Sequence, residues 1–321
     1  MTGVGEVVAP LDLDHLSLAS FAGQPVAVLG FARSGLALCR FLTDQGAGVT
    51  VYDARPADEL ADQLAGLGER DVRALLGPQV DPAAALEGQA LVCTSPSINS
   101  RYPTTEPRLR QALSRLEAEG RVPLVSEVDL FLRLCPAATV GITGTKGKTT
   151  TSSLVATVLS EGSAPVVLGG NIGTPLVERL PQLTAEHVVV LELSELQLPT
   201  LSRGTEVAVY THVTSDHLDR HGTLEAYRAV KRRLAELAPP EGRLVLNAED
   251  PVSSAFASAT TAPVVFYRRS APRAGGVGVA DGWVVAGAIA RLARIGGGPQ
   301  MGDRRILPLS EIRLPGRHNI S

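Results

Sequence analysis

Only three cysteines, three lysines and one tryptophan occur among 321 residues, and aromatic residues make up 4% of the chain. Cys39, Cys93 and Cys135 are odd in number and widely spaced, which argues against a disulfide framework and points to a reducing compartment. No apolar run approaches the ~20 residues that a membrane-spanning helix needs. The first residues carry Asp12 and Asp14 and no basic stretch ahead of an apolar one, so a secretory leader is not expected. A net charge of −3 excludes the strongly basic surface of a large nucleic-acid footprint. Disorder and fibrous repeats are excluded too, because 44% hydrophobic and 20% charged residues are ordinary for a folded globular chain. The length suits two domains of ~150 residues, each able to bury a core unaided. The expectation is a cytoplasmic α/β protein with no membrane or nucleic-acid partner.

The scarcity of lysine is informative because arginine is not scarce: 27 of the 30 basic residues are Arg. A genome rich in Arg codons is the plain source of the bias. Where Arg is the default, Lys146, Lys148 and Lys231 mark the places to inspect for chemistry that a guanidinium does not supply, since only lysine offers a compact ammonium or, once neutral, a nucleophilic amine.

Hydrophobic patterning organises the chain. Pro25–Leu29 reads as a strand ending at Gly30, the Phe31–Gly35 turn opens a helix closed by Gly46 and Gly48, and Val49–Tyr52 returns as a strand ending at Asp53. Helices near 57–67, 105–119 and 126–134 and a strand at 90–93 continue the alternation, which implies a parallel sheet covered on both faces. Cys135-Pro136 interrupts it. A second series follows, with strands near 138–142, 165–168, 187–191, 206–210 and 244–246 and helices over 148–160 and 224–237. The Gly-rich stretch 271–298 around Trp283 reads as a hairpin and loops. The expected domains are 1–136 and 137–313, with 314–321 beginning a further connection.

Between the strand at 138–142 and the helix from Lys148 stands Gly144-Thr145-Lys146-Gly147-Lys148-Thr149-Thr150. A Gly-rich loop in that place turns successive backbone N–H groups toward phosphate at a helix N-terminus. Lys148 supplies a point charge for the β- and γ-phosphates, and the Thr149 hydroxyl a ligand for Mg²⁺. The common form of this loop has glycine five residues before Gly147, where this chain has Ile142, so the match is to a shortened variant.

Glu192 ends an apolar strand, where ligands gather in open α/β sheets and a carboxylate can hold Mg²⁺; the plain alternative is an edge carboxylate in solvent. The run from His212 to His221 holds several potential bases or ligands without the spacing of a zinc site, and a polar capping loop is its plain alternative. Lys231 follows Tyr227 by four residues, flanking an apolar helical stripe; on the residues alone its stem packs and its ammonium reaches water. Gly30-Phe31-Ala32-Arg33-Ser34-Gly35, with Asp53 18 residues on, suits either a nucleotide diphosphate or a dinucleotide at a helix N-terminus.

Together these residues resemble the Mur ligases, ATP-dependent amide-forming enzymes of peptidoglycan precursor synthesis. The segments Gly169-Gly170-Asn171-Ile172-Gly173-Thr174-Pro175-Leu176 and Leu191-Glu192-Leu193-Ser194-x-x-Gln197-Leu198 are most similar to the D-glutamate-adding branch. Thr214-x-Asp216-His217-Leu218-Asp219-Arg220 and Tyr227-Arg228-x-x-Lys231 complete the central-domain pattern. The Gly30–Gly35 turn, Asp53-x-Arg55 and Thr94-Ser95-Pro96 match the uridine-nucleotide domain.

The resemblance implies two doubly wound α/β domains, an N-terminal Rossmann-like uridine-nucleotide domain and a central P-loop ATPase-like domain. It implies ATP on Gly144, Thr145, Lys146, Gly147, Lys148, Thr149, Thr150 and Asn319, and Mg²⁺ on Thr149, Glu192 and His217. Lys148, Lys231 and His217 would be catalytic, with Lys231 carbamylated by CO₂. Ser34 and Arg55 would lie near the uridine diphosphate, and Ser95, Asn171 and Gln197 on the muramoyl substrate. The implied substrates are UDP-N-acetylmuramoyl-L-alanine and D-glutamate, and the implied state is a monomer.

Lys146, Glu195, His212 and Ser97 stand where that family more often has Asn or Ser, Ser, Asn and Gly. The family also continues past Leu314-Pro315-Gly316-Arg317-His318-Asn319 into a third domain, so a truncated and inactive ligase is expected. A folylpolyglutamate-type ligase, a non-catalytic nucleotide-sugar module and an NAD-dependent dehydrogenase remain the competing readings.

Overall fold

A computed structural model describes residues 8–214, 223–287 and 304–313. The chain divides into two compact units, Met1–Cys135 with Thr174–Leu183 and Pro136–Gly173 with Thr184–Ser321.

The first unit runs β1 (Pro25–Leu29), α1 (Arg33–Asp44), β2 (Gly48–Asp53), α2 (Ala61–Gly66), β3 (Val72–Leu76), α3 (Ala83–Leu86), β4 (Leu91–Thr94), α4 (Pro107–Glu119), β5 (Leu124–Ser126) and α5 (Glu127–Leu134). Its five strands are all parallel, in the order β3-β2-β1-β4-β5. Val26–Leu29 of β1 and Leu91–Cys93 of β4 are unbroken buried apolar runs, as strands covered on both faces should be. Leu109, Leu113 and Leu116 recur at helical spacing on α4 and pack on Ala27, Leu29, Tyr52 and Val92. α4 starts where the Glu106 carboxylate accepts the Leu109 N–H at 2.7 Å, and stops at Gly120, in the left-handed region at φ 60°. The strand order reverses between β1 and β4, so a crevice opens at their C-terminal ends. Neither β3 nor β5 was expected: β3 is an edge strand with Arg73 and Ala74 exposed, and β5 has three residues.

The second unit runs β6 (Ala138–Thr143), α6 (Lys148–Ser160), β7 (Val166–Gly170), β8 (Val188–Glu192), β9 (Val207–Tyr210), α7 (Leu224–Glu236), β10 (Arg243–Asn247), α8 (Pro251–Ala255), β11 (Val264–Tyr267), β12 (Val277–Ala280), β13 (Trp283–Ala286) and β14 (Arg304–Pro308). They form one sheet ordered β14-β13-β12-β11-β10-β9-β6-β8-β7, parallel from β7 to β12 and antiparallel beyond. The expected hairpin is β12–β13, turning at Asp281 and Gly282, both at positive φ; residues 288–298 of the Gly-rich stretch lie outside the described residues. β6 sits between β8 and β9, so the loop that follows it opens at the switch in strand order. Among the described residues no helix is long and apolar enough to cross a membrane.

Candidate active site

The second unit's site is built on the end of β6. Gly144 and Gly147 take φ +152° and +85°, and a Cβ on Gly144 would run into the Thr211 hydroxyl, so the turn needs glycine there. The loop is tied to the segment after β9: Thr145 N–H donates to His212 O at 2.7 Å, and Thr211 Oγ1 donates to Lys146 O at 2.6 Å. Thr145 is itself a junction, its Oγ1 lying 2.9 Å from Tyr227 Oη and accepting the Thr214 N–H at 3.0 Å. Lys148 Nζ donates to the carbonyls of Gly144 and Thr145 at 3.1 and 3.0 Å, which holds the ammonium over the loop at the start of α6. The glycine at 147 precedes the first helical residue, leaving the α6 N-terminus without a side-chain cap and its N–H groups available to an anion.

Glu192 is not an edge carboxylate in solvent: it is 2% exposed. Its two oxygens are each taken, Oε2 by Thr149 Oγ1 at 2.7 Å and Oε1 by Asn171 Nδ2 at 2.8 Å. This brings together Thr149, Asn171 and Glu192 from three places in the sequence, because β8 is seated between β6 and β7. A hydroxyl and a buried carboxylate are the hard oxygen donors that Mg²⁺ selects. The remaining positions of such an ion are ordinarily filled by water and substrate phosphates. Among the described residues no group of three or more His, Cys, Asp or Glu gathers as a metal cage. Gln197 is also buried, its Oε1 accepting Ser194 N–H and Oγ at 2.9 and 3.1 Å.

Lys231 does not reach water. With Tyr227 and Leu234 it occupies the buried face of α7, at 0% exposure, and its Nζ donates to Gly144 O at 3.0 Å and Thr143 Oγ1 at 3.4 Å. α7 is held in phase by Tyr210, whose hydroxyl donates to Lys231 O at 2.6 Å and accepts the Ala235 N–H at 2.9 Å. His212 has a half-exposed side chain whose Nδ1 lies 3.7 Å from Asp250 Oδ2, and Asp250 also accepts the Val213 N–H at 2.8 Å. His217 and Asn319 lie outside the described residues. Thr143, Thr211, Tyr210 and Asp250 carry much of this framework and are not marked as site residues by the sequence. Their only sequence signal is a hydroxyl or carboxylate at or shortly after a strand end, which many solvent-facing residues share.

The first unit has its own constellation at the switch between β1 and β4. A Cβ at Gly35 would overlap the Gly30 carbonyl oxygen, so α1 can start this close to β1 only with glycine. Asp53 Oδ2 accepts the Phe31 N–H at 2.8 Å, which ties the turn to the end of β2. Arg55 binds the same carboxylate twice through its side chain, at 3.0 and 2.8 Å. Burial pushes the Asp53 carboxyl up, but the Arg55 side chain and the N–H groups of Arg55 and Phe31 outweigh it and hold it below the usual carboxylate range. Ser95 Oγ donates to Gly30 O at 3.3 Å, and Ser34 lies in the first turn of α1. Ser34, Arg55 and Ser95 thus surround one turn with an uncapped helix N-terminus, a place suited to a diphosphate.

Comparison with known proteins follows the same two-part division. The Mur ligase middle domain matches residues 142–321, and the Mur ligase MurD-like N-terminal domain matches residues 24–115. A UDP-N-acetylmuramoylalanine–D-glutamate ligase of Symbiobacterium thermophilum is 35% identical over 92% of this chain and 61% of its own length. One from Pelotomaculum thermopropionicum is 34% identical over 94% and 62%. The chain therefore spans about three fifths of the length of these relatives. A solved UDP-N-acetylmuramate:L-alanyl-gamma-D-glutamyl-meso-diaminopimelate ligase from Neisseria meningitides, 19% identical, shares the fold with a TM-score of 0.56, over 93% of this chain and 90% of that one. A Gly-rich strand-to-helix loop of this shortened form and an all-parallel first unit, each within its own matching family domain, have one common explanation: the chain belongs to the Mur ligase family.

Proposed function

We propose that this chain carries the nucleotide-sugar and ATP portions of a ligase that joins D-glutamate to UDP-N-acetylmuramoyl-L-alanine in peptidoglycan precursor synthesis. The observation that carries the reading is the Thr149–Glu192–Asn171 hydrogen-bond chain beside Lys148 at the end of the phosphate loop. The names of the relatives point to the D-glutamate-adding reaction. The Gly30–Gly35 turn with Asp53 favours this over a folylpolyglutamate-type ligase, a family without such a nucleotide domain.

In this reading the first unit holds the uridine diphosphate at the α1 N-terminus, with Ser34 and Arg55 around it. Ser95, Asn171 and Gln197 serve the muramoyl part. The loop N–H groups of the second unit bind the ATP phosphates, and Lys148 exchanges its two carbonyl partners for phosphate oxygens. Thr149 and Glu192, with His217, would hold Mg²⁺, which supplies positive charge against the phosphate oxygens. The L-alanyl carboxylate attacks the γ-phosphorus, the bond to the bridging oxygen breaks, and ADP leaves with that electron pair. Lys148 stabilises the charge on the transferring group. The amine of D-glutamate then attacks the acyl carbon, phosphate leaves, the amine gives up a proton and the amide forms. Lys231 is the carbamylation site of this reading: its ammonium first loses a proton, the amine nitrogen then bonds the carbon of CO₂ and releases a second proton, and a carboxylate replaces the buried ammonium. The protein acts in the cytoplasm as a monomer, without a nucleic-acid or membrane partner.

Calorimetric titration with UDP-N-acetylmuramoyl-L-alanine, a dihydrofolate-type substrate and NAD tests the assignment. Heat with the first alone is expected, and binding of NAD or the folate in its place would overturn it. With ATP, Mg²⁺ and labelled D-glutamate added, residues 1–321 alone should form no labelled amide. Positioning an amine against an acyl phosphate supplies ~7–11 kcal/mol of the barrier, and among the described residues no D-glutamate site is recognisable.

A further inference from the structure

The phosphate loop contains a backbone donor that the rest of the fold does not use. The Gly147 N–H, one residue ahead of α6, has no hydrogen-bond partner among the described residues. Its direction is set by the peptide group it shares with the Lys146 carbonyl, since in a trans peptide the C=O and N–H point opposite ways. Gly147 does not itself hold that plane. It sits at φ +85°, and glycine reaches other φ values at little cost, so this peptide turns over readily unless something outside the loop grips it.

The grip comes from Thr211, the residue after β9. Lys146 and His212 pair as an isolated antiparallel bridge, which brings the backbone of that segment alongside the loop. Among the described residues, the hydrogen bond that reaches the Lys146 oxygen is the one from the Thr211 hydroxyl, at 2.6 Å. Thr143 O, at 3.3 Å, is the more distant acceptor for that hydroxyl. Thr211 is itself anchored on both sides. Its N–H donates to Thr143 O at the end of β6, at 2.9 Å. Its carbonyl accepts Tyr267 Oη from β11 at 2.8 Å and Asn247 Nδ2 from β10 at 3.4 Å. The branched side chain is stiff at χ1, and its hydroxyl rests against Gly144, where a Cβ would collide with it.

We infer that Thr211 is a positioning residue for nucleotide phosphate. By holding the Lys146 carbonyl toward the segment after β9, its hydroxyl keeps the Gly147 N–H turned away from that segment, as a donor to an anion at the α6 N-terminus. The inference rests on the assignment of the ATP phosphates to this loop. With the grip lost, part of the population presents the Lys146 oxygen, an acceptor, where a phosphate oxygen needs a donor.

Lys146-Gly147 is the only Lys-Gly pair in the sequence. The full chain labelled with ¹³C-carbonyl lysine and ¹⁵N-glycine therefore gives one carbon–nitrogen-correlated amide signal, from this peptide group. In the wild type, ATP with Mg²⁺ should move the Gly147 proton downfield, the direction of a new hydrogen bond. Thr211→Val keeps the branched shape and removes the donor, so without nucleotide its Lys146 carbonyl carbon should move upfield. That variant should bind ATP about tenfold more weakly, as for the loss of one hydrogen bond, whereas Thr211→Ser, with its hydroxyl, should stay within about twofold of wild type. A wild-type Gly147 signal unmoved by bound ATP would overturn the inference whatever the variants do. So would a folded Thr211→Val protein that binds ATP as tightly as wild type, or a Thr211→Ser protein as weak as the valine variant. Failure of the wild type to bind ATP would overturn the assignment of ATP to this loop, and the inference with it.

Discussion

Thr149 and Glu192 are 43 residues apart in sequence, and the Thr149 hydroxyl donates to Glu192 Oε2 at 2.7 Å. A buried carboxylate is costly unless its lone pairs are taken, and here Asn171 takes the other side. Thr149→Val, nearly isosteric, should therefore cost about 1–3 kcal/mol of stability and weaken Mg²⁺-dependent ATP binding, whereas Thr149→Ser should retain both. Denaturant unfolding and nucleotide titration with and without Mg²⁺ measure the two effects. A valine variant as stable as wild type would show that Glu192 does not rely on this donor.

Lys148→Ala should weaken ATP binding roughly 10- to 150-fold, the range expected for losing a charged hydrogen-bond donor, and leave UDP-N-acetylmuramoyl-L-alanine binding nearly unchanged. The two ligands are assigned to different units, and this change touches only the phosphate loop. An equal fall in both affinities would show that the assignment of ligands to units is wrong.

For Lys231 the buried amine allows a chemical rescue test. In a full-length relative carrying the matching substitution, Lys231→Ala should impair acyl-phosphate formation and short carboxylates should partly restore it. Lys231→Arg should stay inactive, because a guanidinium does not form a carbamate, and a larger side chain in a fully buried place costs about 1–3 kcal/mol in addition. An active Arg variant would eliminate the carbamate reading.

Gly35→Ala should abolish uridine-nucleotide binding or unfold the first unit, since the new methyl meets a backbone carbonyl that has no rotamer to yield. Gly88→Ala is the control: it lies in a turn of the same unit, outside any helix or strand, and nothing stands within 4 Å of its added Cβ, although its φ of +67° is mildly strained. Circular dichroism and nucleotide titration separate misfolding from lost binding. Normal binding by Gly35→Ala would refute the close approach of α1 to β1.

Glu127 gives a pH-dependent stability signature. Its carboxyl is about 7 in the fold against an ordinary 4.5, so the neutral form is favoured there. Its contribution is fully present below 4.5, is lost as pH rises toward 7, and remains lost above. Glu127→Gln should therefore match wild type at pH 4 and exceed it at pH 8 by about 1–3 kcal/mol in urea unfolding. A variant less stable than wild type at pH 8 would show that the fold favours the ionised carboxylate.

The positions of β1, α1, β2, β6 and α6 were readable from local chemistry. Apolar runs make covered strands, and glycines at Gly30, Gly35, Gly144 and Gly147 mark the turns where backbone passes close to backbone or takes positive φ. Those rules act over a few residues, so the phosphate loop and the nucleotide turn could be placed without a fold. What surrounds them could not. Glu192 reads equally as a solvent-edge carboxylate or a buried ligand until β8 is known to lie beside β6, and Lys231 reads as a surface lysine until its helix is rotated against the loop by Tyr210. Nor does Thr174–Leu183 announce that it joins the first unit while its neighbours on both sides belong to the second. Hydrogen-bond partners of buried polar groups are chosen by strand order and helix phase, which arise from packing across the whole domain, and nothing within a helical turn of Glu192 or Lys231 records that choice.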